Sequence, residues 1–438
     1  MRTLAEWLRL QESVHPRSID MGLERVGSVA RTLGVAAPGF AVITVGGTNG
    51  KGSVVAHLAA LLGARGARTG IFTSPHLLRY NERIHIDGRE VADPELIGAF
   101  ERIEAARGTT TLTFFEYNTL AALLIFADRR VDVAVLEVGL GGRLDATNLV
   151  DADVAVLASV GFDHRDWLGD TLEQIGAEKA GIFRSGRPAV LGSADMPATV
   201  FATLQAVGAR AVVAERDFHW RLRGATWDYQ GLEVTLTDLP PPALAGAIQY
   251  RNAATALAAL ELLGRGAAGA ALARLRGRLG ALDARTTAAG LERVQLPGRF
   301  QVVPGAVEWI LDIAHNEPAA RVLAAQLAQR PLPPRPQGGH GVTFAVIGVL
   351  RDKDAAAIAA ALGPLIDRWI VCTLPGERGA SAAQLAARLA LSAGSFELAD
   401  SVAAGCERAH GAARPGDRVV VCGSVHTVGP ALRWLRIY

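Results

Sequence analysis

Short runs of β-branched and apolar residues recur along this chain, and most are followed by stretches in which apolar positions return every three or four residues. AVITV at 41–45 reads as a buried strand, and VVAHLAALLGARG at 54–66 as the helix after it. The alternation continues with a strand and polar loop over 69–88, helices over 94–107 and 116–129, and strands within 131–137 and 153–160. A helix over 171–184, a strand at 187–192, a further helix and a strand at 209–214 follow. Repeats of this kind build helices onto a mostly parallel sheet.

Between 218 and 236 the period drops to two, with Trp220, Leu222, Trp227, Tyr229, Leu232, Val234 and Leu236, which predicts a small antiparallel insertion. Alanine-rich helices are expected over 252–264 and 270–282. The strand–helix pattern restarts around 291–300, so the boundary falls near Val294, giving domains of 1–294 and 295–438. Strands at 308–312, 342–347, 369–374, 395–398 and 417–422 make the second a smaller α/β domain. The first 15 residues read as an amphipathic helix that carries charges through its apolar positions, not as a signal peptide.

Length and composition fit this plan: 438 residues suit two domains, and a hydrophobic half of the chain supplies their cores. Lys plus Arg (45) nearly balances Asp plus Glu (43), which gives no electrostatic case for nucleic acid or an anionic membrane as partner. No apolar run reaches membrane-spanning length. Cys372, Cys406 and Cys422 are scattered and odd in number, as expected of buried thiols in a reducing cytoplasm. Only Lys51, Lys179 and Lys353 are lysines, the other basic residues being arginine. A chain so biased keeps lysine where an amine is chemically required, though chance retention explains Lys353 equally well.

The first such amine lies in VGGTNGKGS at 45–53, a glycine-rich turn between strand and helix. Glycines let backbone N–H groups face phosphates, the helix N-terminus adds a favourable dipole, and Lys51 and Ser53 suit phosphate and magnesium. Only three residues separate Gly46 from Gly50, and Gly52 intervenes before Ser53, so this is an unusual subclass of phosphate loop. Glu137 ends a buried strand, where it is either a magnesium-side carboxylate or a structural one. Ser74 at a strand end is a turn residue or a site residue, and His164 a metal ligand or a polar loop side chain. Asp145 and Asn148 read equally as caps, and Asn252 at a helix entrance is placed to face a ligand.

GTNGKGS, TSPHL, FFEYNT, LEVGLGGRLDATN, DHRDWLG, GAEKAGIFR, LPGRF, LDIAHN and CGSVHTV occur in order, and the set resembles the folylpolyglutamate and dihydrofolate synthases of the Mur ligase superfamily. The resemblance runs from IDMGLERV near the N-terminus almost to the end. It implies an N-terminal P-loop ATPase domain and a C-terminal Rossmann-like domain, with the reaction in the cleft between them. ATP activates a carboxylate as an acyl phosphate, which the amine of L-glutamate attacks; the acceptors are dihydropteroate and reduced folates. Carried over, Gly50, Lys51, Gly52 and Ser53 hold the phosphates, and Ser74, Glu137 and His164 hold magnesium, of which two ions are implied. Asn252, Arg299 and Asp312 contact ATP. Thr113, Phe114, Phe115 and Glu116, with Leu144, Asp145 and Ala146, contact the pterin, while His315 and Ser424 lie on the glutamate side. Lys51, His164, Lys179 and His315 form the catalytic set, with Lys179 carbamylated. HNEPAA departs from the family in placing Glu317 after His-Asn, which puts helix entry there in question. A cytoplasmic monomer acting on small molecules is expected. A folylpolyglutamate synthase without the second activity, a P-loop kinase and a non-catalytic nucleotide binder are the rival readings.

Overall fold

The computed structural model describes residues 2–265, 275, 279–332, 340–391 and 394–438. They form two compact units, one of 1–243 with 249–295, the other of 244–248 with 296–438.

The first unit is built on eight strands: β1 (Ala41–Gly46), β2 (Thr69–Phe72), β3 (Ile84–Ile86), β4 (Arg89–Glu90), β5 (Val133–Glu137), β6 (Val154–Leu157), β7 (Pro188–Leu191) and β8 (Arg210–Val213). Their order is β4-β3-β2-β5-β1-β6-β7-β8, parallel except for β3 and β4 at one edge. Alternation along the central strands divides two cores. Ile43, Val45, Val133 and Val135 face one with Val54, Leu58 and Leu62; Val42, Ala134 and Leu136 face the other with Phe100, Tyr117, Leu120 and Phe126. Val45 pairs with Glu137 and Gly46 with Leu157, so β1, β5 and β6 end together. The chemistry-bearing loops leave from that edge, the usual ligand side of a parallel sheet.

The insertion forms as expected, as an antiparallel meander of β9 (His219–Arg223), β10 (Thr226–Gln230) and β11 (Thr235–Leu239). Trp227 and Tyr229 are fully buried in the core of the phosphate-loop helix, whereas Leu222 points outward and is 54% exposed. The first helix, Leu4–Val14, starts with a reciprocal Thr3–Glu6 cap and buries Trp7. Two helix ends differ from expectation. The helix Phe114–Asp128 begins two residues early because Thr113 and Glu116 cap it reciprocally. The helix Leu172–Ala180 stops well before Arg184 because Gly181 lies against Arg143, whose Cβ would be 2.3 Å from a Cβ added at 181. The expected helix over 270–282 lies outside the described residues apart from Leu275 and 279–282.

The second unit carries β12 (Gln301–Val303), β13 (Glu308–Leu311), β14 (Thr343–Ile347), β15 (Arg368–Cys372), β16 (Phe396–Ala399) and β17 (Arg418–Cys422). Their order is β12-β13-β17-β14-β15-β16, with only β12 antiparallel. Ile310, Ala345, Ile347, Val371 and Val420 fill its core, and all three cysteines are buried thiols. Helix entry after His315 is intact: the Asn316 side chain caps Glu317–Ala328 by accepting from Ala319 N at 3.0 Å. Pro318 sits in the first turn, where its missing N–H costs nothing. Among the described residues no helix is long and apolar enough to cross a membrane.

Two glycines test the packing in opposite directions. An added Cβ at Gly70 in β2 would lie 2.6 Å from the Phe126 ring, whereas one at exposed Gly63 would meet nothing within 4 Å. Gly70→Ala should destabilise by about 1–3 kcal/mol. Gly63→Ala, in the helix Lys51–Ala64, should stabilise by up to about 1 kcal/mol. Denaturant midpoints of the purified variants check both signs.

Candidate functional site

After β1 the chain turns on Gly47 (φ 141°) and Gly50 (φ 85°) and enters the helix Lys51–Ala64. Both positions are closed to side chains. A Cβ on Gly47 would lie 3.1 Å from Ser159 N, and one on Gly50 3.2 Å from the Asn252 side-chain oxygen. The turn is laced to the loop after β6: Thr48 Oγ1 donates to Gly161 O and accepts from Gly161 N, each at 3.0 Å, and Ser159 Oγ bonds the Asn49 N–H at 3.1 Å and carbonyl at 2.9 Å. Asn252 is fixed by donating to Gln249 at 3.0 Å. Ser53 is buried, and its carbonyl holds His57 Nδ1 at 2.7 Å; burial drives the pKa of that imidazole down to about 4, so it stays neutral.

Two amines converge on one carbonyl. Lys51 Nζ donates to Gly47 O at 2.9 Å and to Thr48 O at 3.1 Å, and Lys179 Nζ reaches the same Gly47 O at 3.2 Å. Lys179 is buried, and burial together with the nearby Lys51 charge pulls its pKa down to about 7, against the opposing pull of Asp163 and Asp145. A lysine so placed spends much of its time as a free amine near neutral pH. Its helix is held by the loop after β5. A Cβ on Gly142 would come within 2.7 Å of Lys179 O, Arg143 N donates to Glu178 O at 2.9 Å, and Arg143 pairs with the Glu178 carboxylate at 2.8 Å.

That loop is organised by Asp145. One carboxylate oxygen accepts from Gly139 N and Leu140 N at 3.1 and 2.8 Å, the other from Thr147 N and Oγ1 at 3.0 and 2.6 Å. Burial raises its pKa, and the same hydrogen bonds oppose the rise. Asp145 is therefore the cap of a short turn, Ala146–Leu149, and shapes the loop that presents Leu144 and Ala146.

Glu137 at the end of β5 is buried and accepts from Ser74 N at 3.1 Å, beside a cis Ser74–Pro75 bond. His164 stands on the neighbouring loop in a left-handed conformation (φ 51°), its N–H donating to Asp163 at 2.9 Å. A non-glycine residue held there is the kind of strain that collects at functional sites. Among the described residues no three His, Cys, Asp or Glu side chains make a ready-made metal cage. The Ser74 and Glu137 oxygens are nevertheless hard donors of the type magnesium takes while keeping part of its water shell.

Thr113 and Glu116 begin their helix as a reciprocal pair: Thr113 N donates to Glu116 at 2.7 Å and Glu116 N to Thr113 Oγ1 at 3.2 Å. Burial pushes the Glu116 pKa up, with Thr113 and Arg25 opposing. Arg25 reaches Glu116 at 3.3 Å and Asp20 at 2.9 Å, and His15 joins Asp20 at 3.3 Å. IDMGLERV, which alone carries no chemistry, thus anchors this helix entrance. Phe115 lies 5.7 Å from Phe72, and its ring sits so close to Gly139 that a Cβ there would be 2.6 Å away. Phe114 packs on Tyr80 at 5.9 Å and under the Arg83 guanidinium at 5.4 Å. Arg25, Ser159 and Arg83 carry no sign of these roles in the sequence, because only the folded loops bring them to these partners.

In the second unit Asp312, at the end of β13, accepts from Phe300 N and Ala314 N, both at 2.8 Å. Burial raises its pKa, while the Arg299 charge pulls the other way. Phe300 is left-handed at φ 41°, so Asp312 fixes a strained turn next to Arg299. His315 is oriented by Nδ1 on Ile313 O at 2.9 Å. Ser424 is buried and caps the helix Val425–Trp434 by accepting from His426 N at 3.1 Å. Lys353 is buried, with Asp352 3.8 Å away.

Family models described as the Mur ligase middle domain and the Mur ligase glutamate ligase domain match residues 45–260 and 298–425. A dihydrofolate synthase/folylpolyglutamate synthase of Escherichia coli (strain K12) is 43% identical over 427 residues, covering 97% of this chain and 94% of the relative. One of the same name from Mycobacterium tuberculosis is 35% identical over 379 residues, covering 81% and 74%. Among solved structures, E. coli FolC in complex with DHPP and ADP superposes with a TM-score of 0.89 at 42% identity, covering 99% of this chain and 98% of that one. A bifunctional folylpolyglutamate synthase/dihydrofolate synthase with Mn, AMPPNP and L-glutamate bound superposes at 0.88 and 42%, covering 100% and 99%.

The depressed pKa of Lys179 has a measurable sign. The unfolded chain holds that proton up to about 10.4, whereas the folded chain releases it near 7. Between those values the unfolded state binds more protons at this group, so its contribution to folding stability should rise with pH. Denaturant titrations in CO2-free buffer should show the wild type gaining stability relative to Lys179→Met as pH rises from about 7 to about 10. The comparison cancels the opposite contribution of the buried thiols common to both.

Proposed function

Because this chain belongs to the Mur ligase family and, within it, to the dihydrofolate synthase/folylpolyglutamate synthases, we propose that it joins L-glutamate to dihydropteroate and to reduced folates, using ATP. The observation that carries the mechanism is the meeting of Lys51 and Lys179 on the Gly47 carbonyl, in a loop shaped for phosphate. The N–H groups of 50–53 and the Lys51 ammonium take the ATP phosphates, which replace the carbonyls that Lys51 now holds. Asn252 supports the turn from beside Gly50, and Arg299 and Asp312 are further positions proposed for ATP contact, Asp312 fixing the backbone of its own turn. The acceptor carboxylate attacks the γ-phosphorus, ADP leaves, and the resulting acyl phosphate is attacked by the glutamate amine. Phosphate and a proton are released as the amide forms. Magnesium bound at Ser74, Glu137 and His164 supplies charge neutralisation to the phosphates.

The free amine of Lys179 adds CO2 with loss of a proton, giving a carbamate. An anion then stands beside Lys51 where the neutral amine stood, so the neighbouring charge attracts the modified side chain where it would repel the protonated one. Thr113, Phe114, Phe115 and Glu116 with Leu144, Asp145 and Ala146 form the pterin side. Within it Glu116 and Asp145 act by holding backbone, since their oxygens are engaged there. His315 and Ser424 belong to the glutamate side. Residues 1–294 thus carry ATP and folate, and 295–438 the glutamate-ligase part. A reducing cytoplasm suits the buried free cysteines, and the chain acts there as a monomer.

Purified protein with ATP, magnesium and glutamate should release ADP with dihydropteroate and with tetrahydrofolate assayed side by side; product with tetrahydrofolate alone would reduce the reading to a folylpolyglutamate synthase. Lys179→Arg should lower turnover on the order of 100-fold or more. It should also remove the carbamate resonance seen by 13C NMR after incubation with labelled bicarbonate. Full activity in that variant would exclude the carbamate.

A further inference from the structure

Arg83 ends the short turn Tyr80–Arg83 and is only 7% exposed. Its Nε donates to His76 Nδ1 at 2.8 Å, and its guanidinium lies 5.9 Å from the Tyr80 ring and 5.4 Å from the Phe114 ring. Glu82 and Glu137 are the carboxylates whose charge it feels. Glu82 is spent on the backbone, accepting from Leu77 N at 2.6 Å and Leu78 N at 2.7 Å. Among the described residues neither terminal amino group of Arg83 makes a hydrogen bond, and neither is sealed from solvent. The terminal N–H donors of this largely buried cation thus point to the side that stays open to solvent, where an incoming anion can take them in exchange for water.

The surroundings select the anion. Phe114 belongs to the pterin side and Glu137 to the phosphate side, and Arg83 touches the first while sensing the second. The phosphate loop follows β1, so ATP phosphates already have their donors there. The anion that must join the two sides is the carboxylate of the acceptor. We propose that Arg83 grips this carboxylate through its two terminal amino groups and keeps hold of it as the acyl phosphate forms. A planar fork with two parallel donors fits a carboxylate bidentately and aims the attacking oxygen. The inference rests on the folate-ligase reading and adds the group that positions its reacting carboxylate. The alternative is that Arg83 only balances the charge of Glu137 and Glu82.

Calorimetry with magnesium and a non-hydrolysable ATP analogue separates the two, using pteroate and its carboxamide as ligands. Wild-type protein should prefer the carboxylate by about 30-fold. Arg83→Gln should erase most of that preference while leaving carboxamide affinity within a few-fold. Arg83→Lys, which keeps charge but loses the fork, should fall between, and serves alone should the Gln variant fail to fold. A preference that survives in both variants, or equal weakening of both ligands, overturns the proposal. Failure of the wild type to bind either ligand would instead overturn the folate reading and this inference with it.

Discussion

The Gly47 carbonyl accepts hydrogen bonds from two lysines, and two full positive charges do not sit comfortably around one oxygen in a buried setting. The conflict resolves unequally. Lys51 has a second carbonyl, that of Thr48, and is only half-buried. Lys179 is enclosed and gives its proton up near neutrality. The two roles proposed for these amines follow from that inequality: Lys51 as the group that meets phosphate, and Lys179 as the nucleophile towards CO2. Because the shared oxygen belongs to a residue with φ 141°, the arrangement depends on glycine at that turn.

The same loops that fix Lys179 also carry the residues proposed for the folate side. Gly142 rides on the Lys179 carbonyl, Gly181 on Arg143, and Gly139 under the Phe115 ring. Asp145 ties both ends of this short segment to one carboxylate. The pterin-side helix entrance is likewise tied through Glu116 and Arg25 to the N-terminal segment at Asp20. The proposed pterin side and the proposed carbamate therefore share one packed block, in which a small shift at one end is felt at the other.

Much of this was legible in the chain. The alternation of strands and helices and the antiparallel insertion show as changes of hydrophobic period, because buried strands and amphipathic helices leave strong patterns, and the glycine loop shows in its own residues. The scarcity of lysine singled out Lys179 before any geometry did. Helix ends were less legible: the start at Phe114 depends on the exchange between Thr113 and Glu116, and the stop after Ala180 on contact with a loop nearly forty residues earlier. The role of Asp145 as a backbone clamp and the placement of Arg83 against Phe114 were invisible, since they arise from tertiary contacts with no local signature.

The scarcity of lysine has a practical side in covalent labelling. Cys372 and Cys406 are buried with pKa values pushed up to about 12, and Cys422 is buried and shifted further in the same direction. Thiol reagents therefore meet inert targets in the folded chain. Lys179 and Lys353 are enclosed, which leaves Lys51 as the accessible side-chain amine. An amine-directed acylating reagent thus becomes a footprint of the phosphate loop, and protection of a single peptide by bound nucleotide reads its occupancy without any engineered tag.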